Sequence, residues 1–180
     1  MPLPTLCLAD RKSAAVEYAK SQGLADEYFP GWDPLAIPQL DGIVSPANTI
    51  GEMSGGYDLV LRRAYQRQKI AIQPIVQHSI RNKPIHLGEA RAIHVGALIP
   101  WLIVVPTVLG KNDAFSTMQS TTPGADIVTK GTYNLMVEAM NSGVTRIGTV
   151  LLGAGVGGMN YMVSVNAMAE GYFKFLDEYQ

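Results

Sequence analysis

The chain has one cysteine, three histidines and few charges: only 16% of its 180 residues are Asp, Glu, Lys or Arg. A single thiol closes no internal disulfide, so nothing points to an oxidising compartment. Cys7 lies in an apolar run and reads as a reduced core residue. His78, His86 and His94 are not four apart and have no cysteine or carboxylate at ligand spacing, so neither a metal centre nor a cofactor is expected. Fourteen Lys and Arg against fifteen Asp and Glu leave a net charge of -1, which draws the chain neither to nucleic-acid phosphates nor to anionic lipid. Arg62, Arg63, Arg67 and Lys69 lack interleaved aromatics and read as a solvated helix face. Uncharged stretches occur at 92–109 and 147–169. Pro100 and Pro106 break the first; Gly148, Gly153, Gly155, Gly157 and Gly158 break the second. A glycine in a helix costs about 1 kcal/mol relative to alanine, so neither is expected to span a bilayer. No basic region followed by an apolar stretch opens the chain, and a cytoplasmic protein is expected.

What is present is a large apolar fraction, 47%, in a chain long enough to bury a core, so 1–180 reads as one domain. Apolar runs alternate with helical patterns. Leu6-Cys7-Leu8 reads as a strand, followed by a helix through Val16 and Ala19, capped by Asp10 or Ser13 and stopped at Gly23. Residues 26–40 read as a loop with a short strand. Ile43-Val44 opens a buried strand limited by Pro46. A helix is predicted over 57–71, ended or kinked by Pro74, with another at 75–84. Strands are predicted at 85–95 (broken at Gly88), 102–105 and 147–152. Residues 110–124 read as a polar loop. Helices are predicted at 125–141 and 161–176, the latter with Met162, Val165, Ala169, Tyr172 and Leu176 on its apolar face. The alternation predicts an α/β three-layer sandwich. Trp32 and Trp101 read as packing residues.

Two constellations carry chemistry. Gly153-Ala154-Gly155-Val156-Gly157-Gly158 lies between a strand and a helix. Glycines there let backbone N–H groups approach an anion, and the helix N-terminus adds its dipole: a phosphate cradle. The spacing also fits a dinucleotide fingerprint, but only 22 residues follow Gly158, too few for a further β-α-β unit. The second is Asp41-Gly42-Ile43-Val44-Ser45-Pro46-Ala47-Asn48 followed by Ser54-Gly55-Gly56-Tyr57-Asp58. A buried strand delivers Asn48 to its C-terminal edge, where open α/β sheets bind ligands and an amide can bond ribose hydroxyls. Asp58, in the first turn of a helix, is expected to be held ionised by the helix dipole and to accept a proton from a hydroxyl or a water.

Together with Gly88-Glu89-Ala90 and the strand into Val105-Pro106, these segments resemble the macro domain family, which binds ADP-ribose, in its small stand-alone bacterial and phage form. The resemblance implies a three-layer α/β/α sandwich with a central mixed sheet. It places Asn48 at the distal ribose and Ala47, Ser54, Gly55 and Gly56 in the first ligand loop. Asp58 matches the aspartate of hydrolytic members, and Gly153, Ala154, Gly155, Val156, Gly157 and Gly158 stand around the diphosphate. Asp33 falls near the aspartate that reads the adenine amino group. The implied activity is binding of ADP-ribose or a derivative, with hydrolysis of an ADP-ribosyl bond or an ADP-ribose phosphate or ester through Asn48 and Asp58. The alternative is a non-catalytic reader, or an interaction protein with a vestigial pocket. The implied partners are an ADP-ribose-type small molecule and an ADP-ribosylated protein. Gly157 replaces an aromatic that often packs on the distal ribose, Ser45-Pro46 replaces the commoner Asn-Ala, and Trp32-Asp33-Pro34 departs from Gly-Asp-Ile. The first two widen the pocket and weigh more against hydrolysis than against binding.

Overall fold

The computed structural model describes residues 2–110 and 124–180. Among the described residues six strands form one sheet: β1 (Thr5–Asp10), β2 (Glu27–Pro30), β3 (Gly42–Ser45), β4 (Arg91–His94), β5 (Trp101–Val104) and β6 (Arg146–Thr149). Their order is β2-β1-β6-β3-β5-β4; all neighbours are parallel except the β4–β5 pair, so the sheet is mixed. Five α-helices among the described residues cover it: α1 (Ser13–Ser21), α2 (Gly56–Arg67), α3 (Ile72–Asn82), α4 (Ala125–Asn141) and α5 (Tyr161–Tyr179).

Strand alternation sorts the core into two layers. Leu6, Leu8, Val44 and Ile103 join the helical face of α1, α4 and α5; Cys7, Ala9, Ile43, Leu102 and Val104 join that of α2 and α3. This is the three-layer α/β/α sandwich. Glycine sets the closest approach within it. A Cβ on Gly171 of α5 would stand 2.2 Å from the Thr129 carbonyl oxygen of α4, so only hydrogen lets the two helices cross there.

Several elements differ from their sequence expectations. The helix predicted to 71 stops at Arg67, where Lys69 turns to φ +62°, and α3 begins at Ile72 with Pro74 in its first turn. A first-turn proline gives up an N–H that has no intrahelical partner anyway, so Pro74 opens a helix rather than ending one. Of 85–95 only Arg91–His94 is strand, because Gly88 turns away at φ +74° and its N–H bonds the Pro106 carbonyl instead. Neither proposed cap is at the N-cap of α1, which is Lys12; Asp10 Oδ1 accepts the Lys12 N–H at 2.8 Å, one step earlier. Met162, placed on the apolar face of α5, is exposed, whereas Val165, Ala169 and Tyr172 are buried as the spacing requires. The polar loop expected at 110–124 lies outside the described residues over 111–123. Among the described residues no helix is long and apolar enough to cross a membrane.

Candidate functional site

The parallel strands end at one edge of the sheet, and the loops leaving them surround a cavity of about 570 Å³. Asp10, Arg11 and Lys12 come from the end of β1, Trp32 and Asp33 follow β2, and Gly55 to Tyr57 close the β3–α2 loop. Thr107 and Val108 follow β5, and 153–157 follow β6. Chain direction reverses here: β1 runs through α1 to one side of the sheet, and β3 leads to the other. Ligands of open α/β sheets bind at such switch points.

The loop after β6 is built to present amides. Gly153 sits at φ +77°, the Met159 N–H bonds the Gly153 carbonyl and the Gly158 N–H bonds that of Gly155, both at 3.0 Å. The N–H groups of Ala154, Gly155, Val156 and Gly157 make no hydrogen bond among the described residues. Beside them begins α2. Its N-cap is Gly55, which has no side chain to occupy the first-turn amides. The two loops meet at Val156, whose Cγ2 lies 2.7 Å from where a Cβ on Gly56 would stand. Gly56 also has φ +56°, so both its conformation and its neighbour call for glycine.

At the other rim Asp33 Oδ1 accepts the Leu35 N–H and the Tyr57 hydroxyl, each at 3.0 Å. Burial first, then the Asp33 charge, pushes the Tyr57 hydroxyl far up, so it stays a donor. Asp33 Oδ2 has Arg11 Nη2 at 3.8 Å. Lys12 Nζ lies 4.4 Å from the centre of the Tyr161 ring.

The cavity thus gathers Asp33, Gly55, Gly56, Gly153, Ala154, Gly155, Val156 and Gly157 from the sequence candidates. Ala47, Asn48, Ser54, Asp58 and Gly158 stand outside its lining. Asn48 is engaged in its own loop: Oδ1 accepts from Ile50 N and Glu52 N, and Nδ2 donates to the Glu52 carbonyl at 2.8 Å. Ala47 is buried, its N–H on the Val105 carbonyl, and Ser54 Oγ donates to Glu52 Oε1. Asp58 is buried beneath the loop and accepts the Ser45 hydroxyl at 2.6 Å. Burial pushes its carboxyl up to about 6, against the lowering effect of that bond. Desolvation outweighs the helix dipole in setting the direction of the shift.

The sequence reading passed over Asp10, Arg11, Lys12 and Tyr161, and took Trp32 as packing. The signal for the first three was available: β1 is parallel and ends at Asp10, so the residues after it reach the ligand edge. Among the described residues no three His, Cys, Asp or Glu side chains cluster as a metal site needs.

No family model matches the chain, and no curated protein matches it in sequence. Solved structures do match in fold. The macrodomain of Mycobacterium tuberculosis DarG superposes with a TM-score of 0.63 at 16% identity, over 79% of this chain and 87% of that one. A structure of Thermosipho africanus DarTG in complex with ADP-ribose gives 0.64 at 14% identity, over 81% of this chain and 38% of that one. The Trypanosoma brucei macrodomain in complex with ADP-ribose gives 0.60 at 17%, over 99% and 68%. The chain has the macrodomain fold.

Proposed function

We propose that this protein binds ADP-ribose or a close derivative in the cavity at the C-terminal edge of its parallel strands. The observation that carries the reading is the pair of amide sets in the two loops that border the cavity. Four N–H groups of 154–157 make no hydrogen bond among the described residues, and the α2 N-terminus at Gly55 has no side-chain cap. N–H groups of two adjoining loops that border one cavity suit the oxygens of a diphosphate, which a helix dipole also favours. Asp33, fixed by Tyr57 and Leu35 through Oδ1, offers Oδ2 to an exocyclic amino group such as that of adenine. The ADP-ribose complexes of fold relatives support the same ligand class.

Binding is favoured over hydrolysis because Asp58 and Asn48, the candidates for handling water and ribose, are engaged with Ser45 and with the 48–52 loop rather than in the cavity lining. The protein then acts as a reader of ADP-ribose, free or carried on a modified protein. Calorimetric titration with ADP-ribose tests this: a Kd in the micromolar range, roughly -8 kcal/mol, is expected. A flat titration at millimolar ligand would leave only the interaction-protein reading.

A further inference from the structure

Strand order sets the order of groups along the cavity. The sheet runs β2-β1-β6, so the end of β1 lies between Asp33, which follows β2, and the glycine loop, which follows β6. Neighbouring strands are about 4.8 Å apart, so β1 takes the middle of a stretch of roughly 10 Å. Asp10, Arg11 and Lys12 line the cavity there. Asp10, the last residue of β1, is half-buried and fixed: its carbonyl accepts the Gly31 N–H and its Oδ1 the Lys12 N–H, each at 2.8 Å. Oδ2 has no hydrogen-bond or ion-pair partner among the described residues. The two cations beside it face other groups. Arg11 is exposed, with Nη2 3.8 Å from Asp33 Oδ2, and Lys12 Nζ lies over the Tyr161 ring. The carboxylates of Asp10 and Asp33 balance the charges of Arg11 and Lys12, so this stretch carries no excess positive charge for an anion. A carboxylate oxygen with open lone pairs is a strong acceptor of hydroxyl hydrogens and repels a phosphate.

Resting on the binding reading above, we infer that Asp10 is a specificity-determining residue, which accepts hydrogen bonds from the hydroxyls of the ribose that joins the base to the diphosphate. With the base at Asp33 and the diphosphate at the glycine loop, that ribose falls at the end of β1. The ligand class narrows accordingly. The site takes nucleotides whose base-bearing ribose has free hydroxyls, and rejects those that are 2′-deoxy or carry a 2′-phosphate.

Calorimetry with ADP, 2′-deoxy-ADP, ADP-ribose and 2′-phospho-ADP-ribose tests this in the wild type alone. ADP is expected to bind at least about tenfold more tightly than 2′-deoxy-ADP, and ADP-ribose at least about tenfold more tightly than its 2′-phosphate, as a hydrogen bond to a charged group allows. Asp10→Asn keeps an Oδ1 acceptor for the Lys12 N–H but puts an amide in place of the charged Oδ2. It should melt close to wild type, yet bring the first ratio down to about threefold or less and the second to about one, because a neutral amide neither binds a hydroxyl as strongly nor repels a phosphate. A carboxylate that only shapes the turn would leave both ratios as they are in the wild type. Wild-type ratios within about twofold of one, or Asp10→Asn ratios equal to those of the wild type, would overturn the assignment while leaving the binding reading intact. Tighter binding of the 2′-phosphate would overturn it in favour of Arg11 and Lys12 as an anion subsite. Wild-type protein that binds none of the four would overturn both.

Discussion

Ser45, the last residue of β3, donates its hydroxyl hydrogen to Oδ1 of Asp58 in the first turn of α2, at 2.6 Å. Both side chains are buried. The bond fastens the start of α2 to the sheet edge, and that start is where Gly55 and Gly56 face the cavity. Asp58 thus ties the start of α2 to the sheet beneath the loop that borders the cavity.

Its protonation makes stability depend on pH. The Asp58 carboxyl rises from an ordinary 3.8 to about 6 on folding. Between those values the folded state holds the proton more tightly than the unfolded state, so stability falls as pH rises from about 4 to about 6 and levels off above. The loss is on the order of 3 kcal/mol. Asp58→Asn, which needs no ionisation, should abolish this part of the slope and raise the melting temperature at pH 7 relative to wild type. Denaturant melts of both proteins from pH 4 to 7.5 check it, and parallel slopes would sink the idea.

The two glycine loops separate stability from affinity. A Cβ on Gly155 would have no atom within 4 Å, whereas one on Gly56 would press on Val156 and hold a left-handed backbone. Gly56→Ala should therefore lower stability by about 1–2 kcal/mol. Gly155→Val should melt within a degree or two of wild type, yet weaken ADP-ribose about tenfold by placing a side chain beside the free amides. Thermal melts with and without ligand distinguish the two.

Much of the layout was legible because glycines and buried strands are local signals. Gly153 to Gly157 line the cavity where a glycine loop after a strand should, and α4 occupies its expected 125–141. What the sequence hid was long-range. Nothing in Asp58 or Asn48 says whether the side chain turns toward ligand or toward its own scaffold. That depends on Ser45 lying thirteen residues away on the neighbouring strand, and on the backbone of Glu52 curling back. Pro74 misled for a local reason: the same residue that breaks a helix interior is welcome in a first turn.

Asp33 should discriminate between bases. Its Oδ2 can accept from an amino group but repels a carbonyl oxygen, so ADP should bind more tightly than inosine diphosphate by roughly tenfold, in line with about 1.5–3 kcal/mol for a charged hydrogen bond. Asp33→Asn should erase most of that ratio while keeping the acceptor for the Tyr57 hydroxyl and the Leu35 N–H. Competition titrations of the two diphosphates against each protein measure the ratio. An unchanged ratio in the variant would show that another group reads the base.

The last prediction separates reader from hydrolase. Asp58 lies outside the cavity lining, so Asp58→Asn should leave ADP-ribose affinity within about twofold. The wild type should release no ADP-ribose from a mono-ADP-ribosylated protein beyond the uncatalysed rate. Asn48→Ala removes three hydrogen bonds from the 48–52 loop, each worth roughly 1 kcal/mol. It should therefore lower the melting temperature, and any loss of affinity should track the loosened loop rather than a lost ribose contact. Asn48→Asp separates these: it keeps the Oδ1 acceptor for Ile50 and Glu52 but loses the donor to the Glu52 carbonyl, so it should recover stability and affinity in part, and both together. Release assays run beside titrations for all four proteins decide the matter. Wild-type release that vanishes in Asp58→Asn with affinity intact would mean the carboxylate reaches the reacting centre. In that case Oδ2, the oxygen not bonded to Ser45, would be the atom that positions the water.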